Sequence, residues 1–551
     1  IPVGRAVKIY KRYGNAAVTA LRENPYRLID DIPGTGFKTA DAIAAELGVP
    51  KDAPIRAEAG LQYVLEQATA DGHVFLPWEE LRVQAASLLE IEPATIEEAL
   101  VGAVARKNLV RDSDGVYLPY LFRAELGISR LLCRLLTSPR QEVPIRVEKA
   151  IEWVERTKGI QLSEEQRQAI RTAISSKVMV ITGGPGTGKT TVLDGLLSIF
   201  EKKGLSVVLA APTGRAAKRM ECATGRASKT IHRLLEFSPK TGQFTRNDSR
   251  PLRADIVVID ECSMVDTSLM HHLLEAVPPF ARLILVGDVD QLPSVGPGNV
   301  LLDIISSEVV PVVWLRTVFR QAAKSGIVSN AHRINQGNRP VFNDKDFFFV
   351  ERPQPQEALD TVLELVTVRM PRKFQLDPKR DIQVLAPMHR GGAGVTALNE
   401  TLQRALNPEG KRLGGYNFGL YDKVMQQRNN YELEVFNGDV GVVTQVDAEL
   451  NQIEVQFDDR TVNYPFDALD ELALAYASTV HKAQGSEYPA VVLSLLKEHH
   501  LMLQRNVLYT AITRASRLVV IIGDPKAIAI AVNNTRVTRR NTRLAERLRT
   551  A

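Results

Sequence analysis

The residues with the clearest chemical signature form the run GGPGTGKTT at positions 183–191. Closely spaced glycines let backbone N–H groups turn toward a phosphate, and a helix that begins directly afterwards adds the partial positive charge of its N-terminus. In such a loop the ammonium of Lys189 reaches the β- and γ-phosphates, and the hydroxyl of Thr190 can ligate magnesium. The apolar run 178–181 predicts the strand before the loop, and the segment VLDGLL at 192–197 predicts the helix after it. The sequence therefore predicts a Walker A loop, with ATP and Mg²⁺ as cofactors.

A glycine-rich turn before an ordinary helix is the plain alternative, and it is disfavoured because the full spacing and both flanking elements agree. Gln166 precedes the loop on a helix that Ser163 is predicted to cap, and its amide offers the donor and acceptor that match the adenine edge. An exposed helical glutamine without a role is the alternative there. The remaining candidate nucleotide ligands are Gly184, Pro185, Gly186, Thr187, Gly188, Lys189, Thr190 and Thr191.

Polar side chains follow three further apolar strands. Asp260 and Glu261 come directly after the run 256–259 and read as a Walker B pair, one carboxylate for the magnesium shell and one to orient or deprotonate the attacking water. Gln291 follows the strand at 283–286 and is placed to sense the γ-phosphate. Arg320 follows the strand at 312–315 and is a candidate for stabilising transition-state charge. Together these residues predict nucleotide hydrolysis, with Thr190 and Asp260 as the metal ligands.

These residues can meet only if the strands that carry them lie side by side. After the phosphate loop, strands and helices alternate as in a parallel α/β sheet, and the strand at 207–210 runs into APTGRAA, where such proteins place ligand contacts. A second α/β unit starts near 381 with the same strand-then-proline arrangement. Short alternating runs over 410–470 predict a small antiparallel barrel inserted into that unit. The predicted fold class is α/β, with two parallel-sheet domains, an inserted β-barrel and an N-terminal helical region.

The N-terminal part reads as short helices joined by tight turns. Its informative piece is IPGTGFKTA at 32–40, in which a G-x-G turn opens a helix whose free first-turn amides would point at a phosphate, with Lys38 alongside. This resembles a helix-hairpin-helix that grips DNA backbone, and a purely structural helical hairpin stays open as the alternative. The start IPVG, followed by basic residues, looks like the rear half of a preceding copy, so we expect that a longer N-terminal region is missing.

The predicted divisions of the chain follow from these changes of pattern. They are a helix-hairpin-helix region at 1–60, a winged-helix-like unit at 61–135, a linker at 136–160, a first α/β domain at 161–345 with a hairpin near 235–247, a second α/β domain at 346–409 and 471–551, and the barrel at 410–470.

Composition limits the class of protein. A chain of 551 residues is too long for one core, and 44% hydrophobic with 24% charged residues is typical of a globular protein without a membrane span. The net charge of +5 is small, so nucleic acid would be held by local patches. The three cysteines lack metal-ligand spacing, and a cytoplasmic location is the simplest interpretation. We expect that the protein does not associate with a membrane and that it is a monomer.

Two further segments lie outside these patterns. The run FSPKTGQF at 237–244 predicts a short β-hairpin with a polar tip and no evident core to join, so we expect it to project from the surface. The arginine-rich tail after residue 535 is interpreted first as a solvated helix face and second as a DNA-contacting one.

The motifs taken in order resemble those of superfamily 1 DNA helicases. The run GPGTGKT is followed by PTGRAA, DECSM, GDVDQLP, VFRQ, TVHKAQGSE and YTAITRA. The set looks most like the RecD-like branch, in the form that works without RecB and RecC and carries N-terminal helix-hairpin-helix modules. The resemblance covers about residues 160–525 with strong motifs and 1–135 with weaker ones, and it implies two RecA-like motor domains.

The resemblance also implies roles for single residues. Gln166 would recognise adenine, Glu261 would be the base, Gln291 the γ-phosphate sensor and Glu487 a ribose contact. The catalytic set would be Lys189, Asp260, Glu261, Gln291, Arg320 and Arg514, the two arginines acting as fingers from opposite walls of a cleft. The DNA contacts would be Pro212, Thr213, Arg215, His232, Arg390, Asn399, Thr479, His481 and Gln484.

The family further implies 5′ to 3′ movement on single-stranded DNA, a hairpin pin that splits duplex junctions, a role in DNA repair or recombination, and a single-stranded-DNA-binding protein as a further partner. The residues alone give no direction of travel. A DNA-dependent ATPase that clamps or remodels DNA complexes without separating strands stays open as the alternative function. A nuclease-helicase is disfavoured, because no carboxylate and lysine cluster of nuclease type stands outside the motor motifs.

Overall fold

The structure is a computed structural model of the chain. It describes residues 3–32, 34–139, 144–318, 324–410, 413, 415–430, 432–447, 449–457, 460–535 and 540–551.

The α-helices are numbered in chain order. They are α1 Val3–Tyr13, α2 Ala17–Glu23, α3 Arg27–Asp31, α4 Phe37–Glu46, α5 Pro54–Ala70, α6 Trp78–Leu89, α7 Pro93–Ala105, α8 Pro119–Thr137, α9 Val147–Lys158, α10 Glu164–Ser175, α11 Lys189–Lys202, α12 Gly214–Thr224, α13 Ile231–Leu234, α14 Thr267–Ala276, α15 Val300–Ser307, α16 Gly326–Asn335, α17 Pro355–Glu364, α18 Met370–Phe374, α19 Val395–Leu406, α20 Arg505–Ile512, α21 Pro525–Asn533 and α22 Leu544–Thr550. A π-helical turn, Leu365–Arg369, joins α17 to α18.

The strands are numbered in the same way. They are β1 Phe75–Pro77, β2 Val110–Asp112, β3 Gly115–Tyr117, β4 Val178–Gly183, β5 Val207–Ala211, β6 Ser228–Thr230, β7 Phe237–Ser238, β8 Gln243–Phe244, β9 Ile256–Ile259, β10 Arg282–Gly287, β11 Val312–Leu315, β12 Phe347–Glu351, β13 Ile382–Ala386, β14 Lys423–Gln426, β15 Val440–Asp447, β16 Gln452–Phe457, β17 Thr461–Pro465, β18 Leu472–Leu474, β19 Ala477–Thr479, β20 Tyr488–Leu495 and β21 Ala515–Gly523.

The first lobe is built on a six-stranded parallel sheet in the order β11-β4-β10-β9-β5-β6. Its central strands β4, β9 and β10 are buried throughout and mostly apolar, because both faces of the sheet are covered. Along β4, Val178 and Val180 join the core under α8 and α14, whereas Met179 and Ile181 join the core under α10 and α11. This arrangement brings the ends of β4, β9 and β10, which carry the predicted nucleotide residues, to one edge.

The second lobe is a five-stranded parallel sheet in the order β12-β21-β20-β13-β19. Between α19 and β19 the chain forms a separate antiparallel sheet, β17-β16-β15-β14-β18, with its own core around Val443 and Tyr464. The predicted α/β class, with two parallel sheets and an inserted antiparallel unit, is confirmed.

The N-terminal region has two parts. Helices α1–α4 pack as short hairpins, and Phe37 at the start of α4 stacks between Tyr26 and Tyr63, with ring centroids 5.9 and 5.0 Å away. Helices α5–α7 then pack with the three-stranded antiparallel sheet β1-β3-β2, which is the order of elements expected of a winged-helix-like unit. Helix α8 leaves this unit and buries Ile128 and Leu132 in the core of the first lobe. The exact limits of the domains stay predictions.

Within the described part of the arginine-rich tail, Arg540, Arg543 and Arg547 are paired and partly buried rather than solvated, so the expectation is wrong for these residues. Residues 540–551, here called the C-terminal strap, cross the first lobe. Leu544 and Leu548 are buried in its core. Arg547 donates to Glu125 at 3.0 Å and to Asp112 at 2.6 Å, and Arg540 donates to the carbonyl oxygens of Ser294 (2.6 Å) and Gly298 (2.6 Å). The prediction failed because the acidic partners lie hundreds of residues away in sequence.

Candidate nucleotide and DNA sites

The phosphate loop joins β4 to α11. Gly186 and Gly188 have φ angles of 74° and 80°, a conformation that favours glycine, and the hydroxyl of Thr187 donates to the carbonyl of Gly184 at 2.8 Å. The ammonium of Lys189 donates to the carbonyl oxygens of Gly183 (2.5 Å) and Gly184 (3.1 Å). The predicted strand, loop and helix are present. The lysine is held inside a cradle whose glycines leave the backbone accessible to an anion.

Gln166 lies beside this loop. Its side chain completes a capping box with Ser163 at the start of α10, and its Nε2 donates to the carbonyl of Thr187 at 3.2 Å. The glutamine is almost fully buried. It therefore fastens α10 to the phosphate loop, and its contact with adenine stays a prediction.

The Walker B carboxylates lie at the end of β9. The backbone N–H of Glu261 donates to Oδ1 of Asp260 at 2.8 Å, and Glu261 adopts a left-handed φ of 52°. Burial and the neighbouring Glu261 raise the pKa of Asp260. Burial alone would raise the pKa of Glu261 too, but the charges of Arg219, Arg514 and Lys189 outweigh burial and lower it. Glu261 is therefore held ionised.

Arg219, in α12, was missed in the sequence. Its Nη2 donates directly to Oε1 of Glu261 and lies 3.9 Å from Asp260. The available signal was its spacing: Arg219 follows Arg215 by four residues on a helix and so lies on the same face.

The two lobes meet at Gln291 and Arg514. Nη2 of Arg514 donates to Oε1 of Gln291 at 3.1 Å, while its other nitrogens donate to the carbonyl oxygens of Thr510 (3.2 Å) and Ser486 (3.1 Å). Gln291 in turn donates to Asp288 at 3.1 Å. Arg514 is 2% exposed, and burial lowers its pKa. The predicted γ-phosphate sensor of one lobe and the predicted arginine finger of the other are thus in direct contact.

A cleft of about 640 Å³ runs between the two lobes. Its walls bring together most of the predicted DNA contacts. Those in the cleft are Pro212, Thr213, Arg215, His232, Thr479, His481 and Gln484, joined by His389 and Lys482, which sequence reasoning did not select.

Several of these residues also connect the lobes. Nη1 of Arg215 donates to Ser486 (2.9 Å) and to the hydroxyl of Tyr488 (2.7 Å). Gln484 donates to the carbonyl of Leu292 at 2.8 Å, next to Gln291. The cleft is therefore in contact with the loop that contains Gln291, the predicted γ-phosphate sensor.

Three predicted site residues lie elsewhere. The amide of Asn399 is paired with the backbone of Ala477 in both directions, at 2.9 and 2.8 Å, and braces the edge strand β19. Arg390 is exposed outside the cleft lining, and Glu487 is exposed on the second lobe beside Ser486. Arg320 lies outside the described residues. The roles of all four stay predictions.

The hairpin β7-β8 is present, with an exposed tip at 239–243. Its base, however, has a core. The ring centroids of Phe237 and Phe244 are 5.0 Å apart, and the ring of His232 lies 5.6 Å from each of them. The ring centroid of His272, from α14, lies 4.8 Å from that of Phe244. The hairpin is thus fixed to the first lobe by an aromatic cluster, and only its tip projects.

Nucleotide chemistry fits the residues present. The loop supplies backbone amides and an ammonium for phosphate oxygens, and Thr190 and Asp260 supply the oxygen ligands that Mg²⁺ prefers. Among the described residues, no helix is long and apolar enough to cross a bilayer. The fold and the site together define a P-loop motor with two α/β lobes, whose predicted nucleotide-site residues Gln291 and Arg514 are in contact.

Comparison with known proteins identifies the motor. Residues 1–75 match the HHH domain of ATP-dependent RecD2 DNA helicases, 166–297 an AAA domain, 398–457 the SH3 domain of ATP-dependent RecD-like DNA helicases and 474–522 the UvrD-like helicase C-terminal domain. The ATP-dependent RecD2 DNA helicase of Deinococcus radiodurans is 36% identical over 566 aligned residues, covering 100% of this chain and 76% of that protein. The chain belongs to the RecD2 family of ATP-dependent DNA helicases, which confirms the resemblance read from the motifs.

The chain is also similar to a more distant curated relative and to one solved structure. The RecBCD enzyme subunit RecD of Mycolicibacterium smegmatis is 33% identical over 425 residues, covering 70% of this chain and 75% of that protein. A crystal structure of Bacteroides Pif1 bound to single-stranded DNA is 21% identical with a TM-score of 0.41, covering 66% of this chain and 92% of that one. A likeness of that level carries no argument. The family decides between the two functions left open by the sequence in favour of a helicase.

Proposed function

We propose that this DNA helicase converts the hydrolysis of one ATP into closing and opening of its two lobes along a single strand of DNA. The observation that carries the proposal is the contact between Gln291 and Arg514. A sensor on one lobe bonded to a finger on the other makes the relative position of the lobes depend on what occupies the space between them. A bound γ-phosphate would accept hydrogen bonds from both Gln291 and Arg514 in place of the bond between them. After the phosphate leaves, the bond between the two side chains would form again.

The first lobe supplies the chemistry. Lys189 would bind the β- and γ-phosphates, and Gln166 the adenine. Thr190 and Asp260 would hold Mg²⁺, which supplies neutralisation of the phosphate charge when bound. Glu261 would accept a proton from the attacking water, and Arg514 would stabilise the charge on the transferred phosphoryl group.

The cleft would hold single-stranded DNA. Arg215, His481 and Lys482 offer donors to phosphates, while Thr213 and Gln484 connect this surface to the nucleotide site. We assign the direction of movement as 5′ to 3′ and the cellular role as DNA repair or recombination, with the chain acting as a monomer and a single-stranded-DNA-binding protein as partner. The hairpin β7-β8 would divide the strands at a duplex junction.

Strand displacement on tailed duplexes tests the assignment of direction. With ATP and Mg²⁺ present, we expect a duplex with a 5′ single-stranded tail to be unwound, because a motor that moves 5′ to 3′ loads on that tail and runs into the junction. A duplex of the same sequence with a 3′ tail is the matched control and should stay intact. Equal unwinding of both, or unwinding of the 3′-tailed duplex alone, would show the assignment to be wrong.

Shortening the hairpin tests its role as a pin. We would replace residues 238–243 by Gly-Gly, which leaves the anchoring rings of Phe237 and Phe244. Strand displacement should then slow by roughly tenfold, because the wedge no longer offsets the ~1.4 kcal/mol of stacking in each base-pair step. DNA-stimulated ATPase should stay close to wild type, since the hairpin does not contact the nucleotide residues.

Lys240→Ala is the control for this prediction, because it removes the charge at the tip and keeps the hairpin. If the charge matters and the wedge does not, the point substitution slows unwinding as much as the deletion does. Unchanged unwinding in the deletion variant would remove the hairpin from the mechanism.

A further inference from the structure

Arg219 makes a contact that none of the proposed steps uses. Its guanidinium bonds Oε1 of Glu261 and lies 3.9 Å from Oδ2 of Asp260. The side chain of Glu261 is 6% exposed and that of Arg219 is 35% exposed, so solvent reaches the contact from the arginine side and hardly from the carboxylate side. The carboxylate proposed as the base is therefore paired with Arg219 in this structure.

Helix α12 connects this contact to the DNA cleft. The helix starts after Thr213, whose Oγ1 accepts from the N–H of Ala216 at 3.2 Å. Thr213 and Arg215 line the cleft, and Arg215 also bonds Ser486 and Tyr488 of the second lobe. Arg219 lies one helical turn further along on the same face. A displacement of the cleft end of α12 is therefore carried by a rigid helix to the arginine that holds Glu261.

The carboxylate can be released without rebuilding the site. The backbone of Glu261 is fixed by the bond from its N–H to Asp260 at 2.8 Å. The side chain is held separately, by Arg219. Loss of that one contact would free Oε1 while leaving the peptide where it is.

We propose that Arg219 is a positioning residue that keeps Glu261 from acting as the base until DNA engages the cleft end of α12. The inference rests on the proposed role of Glu261. In the reaction, a water oxygen attacks the γ-phosphorus, its proton passes to Oε1 of Glu261, and the bond from the γ-phosphorus to the β–γ bridging oxygen breaks with its electron pair on ADP. A guanidinium bonded to Oε1 occupies one of its lone pairs, and its charge lowers the proton affinity of the whole carboxylate, including Oε2. DNA contact with Thr213 and Arg215 shifts α12, draws Arg219 away and makes Oε1 available.

Steady-state ATPase of Arg219→Gln, with and without oligo(dT), tests the proposal. The DNA-free kcat should rise by roughly tenfold, the factor that corresponds to one hydrogen bond between charged groups. The kcat at saturating oligo(dT) should stay within about twofold of wild type, so stimulation by DNA falls by nearly the same factor. The KM for ATP should not change, because Arg219 does not contact the phosphate loop. Arg219→Lys keeps the charge and loses the forked guanidinium, so its DNA-free kcat should lie between those of wild type and Arg219→Gln.

Lys218→Ala is the matched control, since Lys218 precedes Arg219 on the exposed side of the same helix, and it should keep the wild-type stimulation ratio. If the kcat of Arg219→Gln falls by the same factor with and without DNA, the proposal is overturned, because Arg219 would then support the base at all times. Glu261→Gln separates this failure from that of the proposed function: it should lose ATPase in both conditions, and retained activity would remove Glu261 as the base. Thermal melting checks each variant, and if Arg219→Gln does not fold, the ratio for Arg219→Lys decides.

Discussion

Lys189→Ala is expected to abolish both ATP hydrolysis and unwinding while leaving DNA binding intact. The ammonium of Lys189 is held at the mouth of the phosphate loop by two carbonyl oxygens, those of Gly183 and Gly184. It is thereby placed to neutralise the charge that develops on the phosphoryl oxygens. Removing one such preorganised donor costs roughly 10²–10³-fold in kcat. The measurements are ATPase with oligo(dT), displacement of a 5′-tailed duplex, and fluorescence anisotropy of labelled oligo(dT) without nucleotide.

The control for this experiment is Lys202→Ala on the same helix. Lys202 lies at the far end of α11, with its ammonium 4.2 Å from the ring of Trp153, so its loss removes an equal charge without touching the phosphate loop. It should retain activity. Unwinding by Lys189→Ala would contradict the assignment of the loop, and loss of DNA binding in that variant would show that the substitution acts on the fold.

Arg514→Lys is expected to reduce DNA-stimulated kcat by roughly 10³-fold, the lower range measured for arginine fingers. The guanidinium bonds Gln291, Thr510 and Ser486 at once, and a lysine cannot reproduce that fork. Lysine is preferred to alanine as the test because Arg514 is buried and alanine would leave these acceptors unpaired. The KM for ATP should change much less than kcat, because the finger acts on the transition state.

Two further variants make this result specific. Arg517→Ala removes an exposed arginine from the neighbouring strand β21 and should keep wild-type kcat. Gln291→Ala, alone and combined with Arg514→Lys, measures whether the two residues act together, and we expect the double variant to be about as slow as the slower single one. Fully additive losses would mean that the contact across the lobes has no part in hydrolysis.

The sequence predicted the positions of those site residues that closely follow a buried strand along the chain. Lys189, Asp260 and Gln291 each follow a buried apolar run, and the strands of a parallel sheet bring their carboxyl ends to one edge. Their placement in one region follows from local pattern and from one general rule. The same holds for the inserted antiparallel sheet, whose alternation and turns are visible in the sequence.

What could not be predicted depends on partners that are distant in sequence. The pairing of Arg547 with Glu125 spans 422 positions, and no local pattern marks either residue as the other's partner. Arg219 was missed for the same reason, since it lies on α12 and its partner Glu261 follows β9, 42 positions later. The hairpin base was judged to lack a core because His272, which packs on Phe244, comes from α14. From composition alone a charged side chain is expected to be solvated. Which charged side chains are instead paired and buried depends on the three-dimensional fold.

The C-terminal strap has a consequence for biosynthesis. Leu544 and Leu548 fill the same core as Val178 and Leu285, yet they are translated after the whole second lobe. Domains that emerge from the ribosome usually fold in order, each on its own. The first lobe therefore cannot complete its core until Leu544 and Leu548 have been synthesised, and the apolar groove that they fill stays uncovered until then. Folding of the first lobe is completed only after the second lobe has been translated.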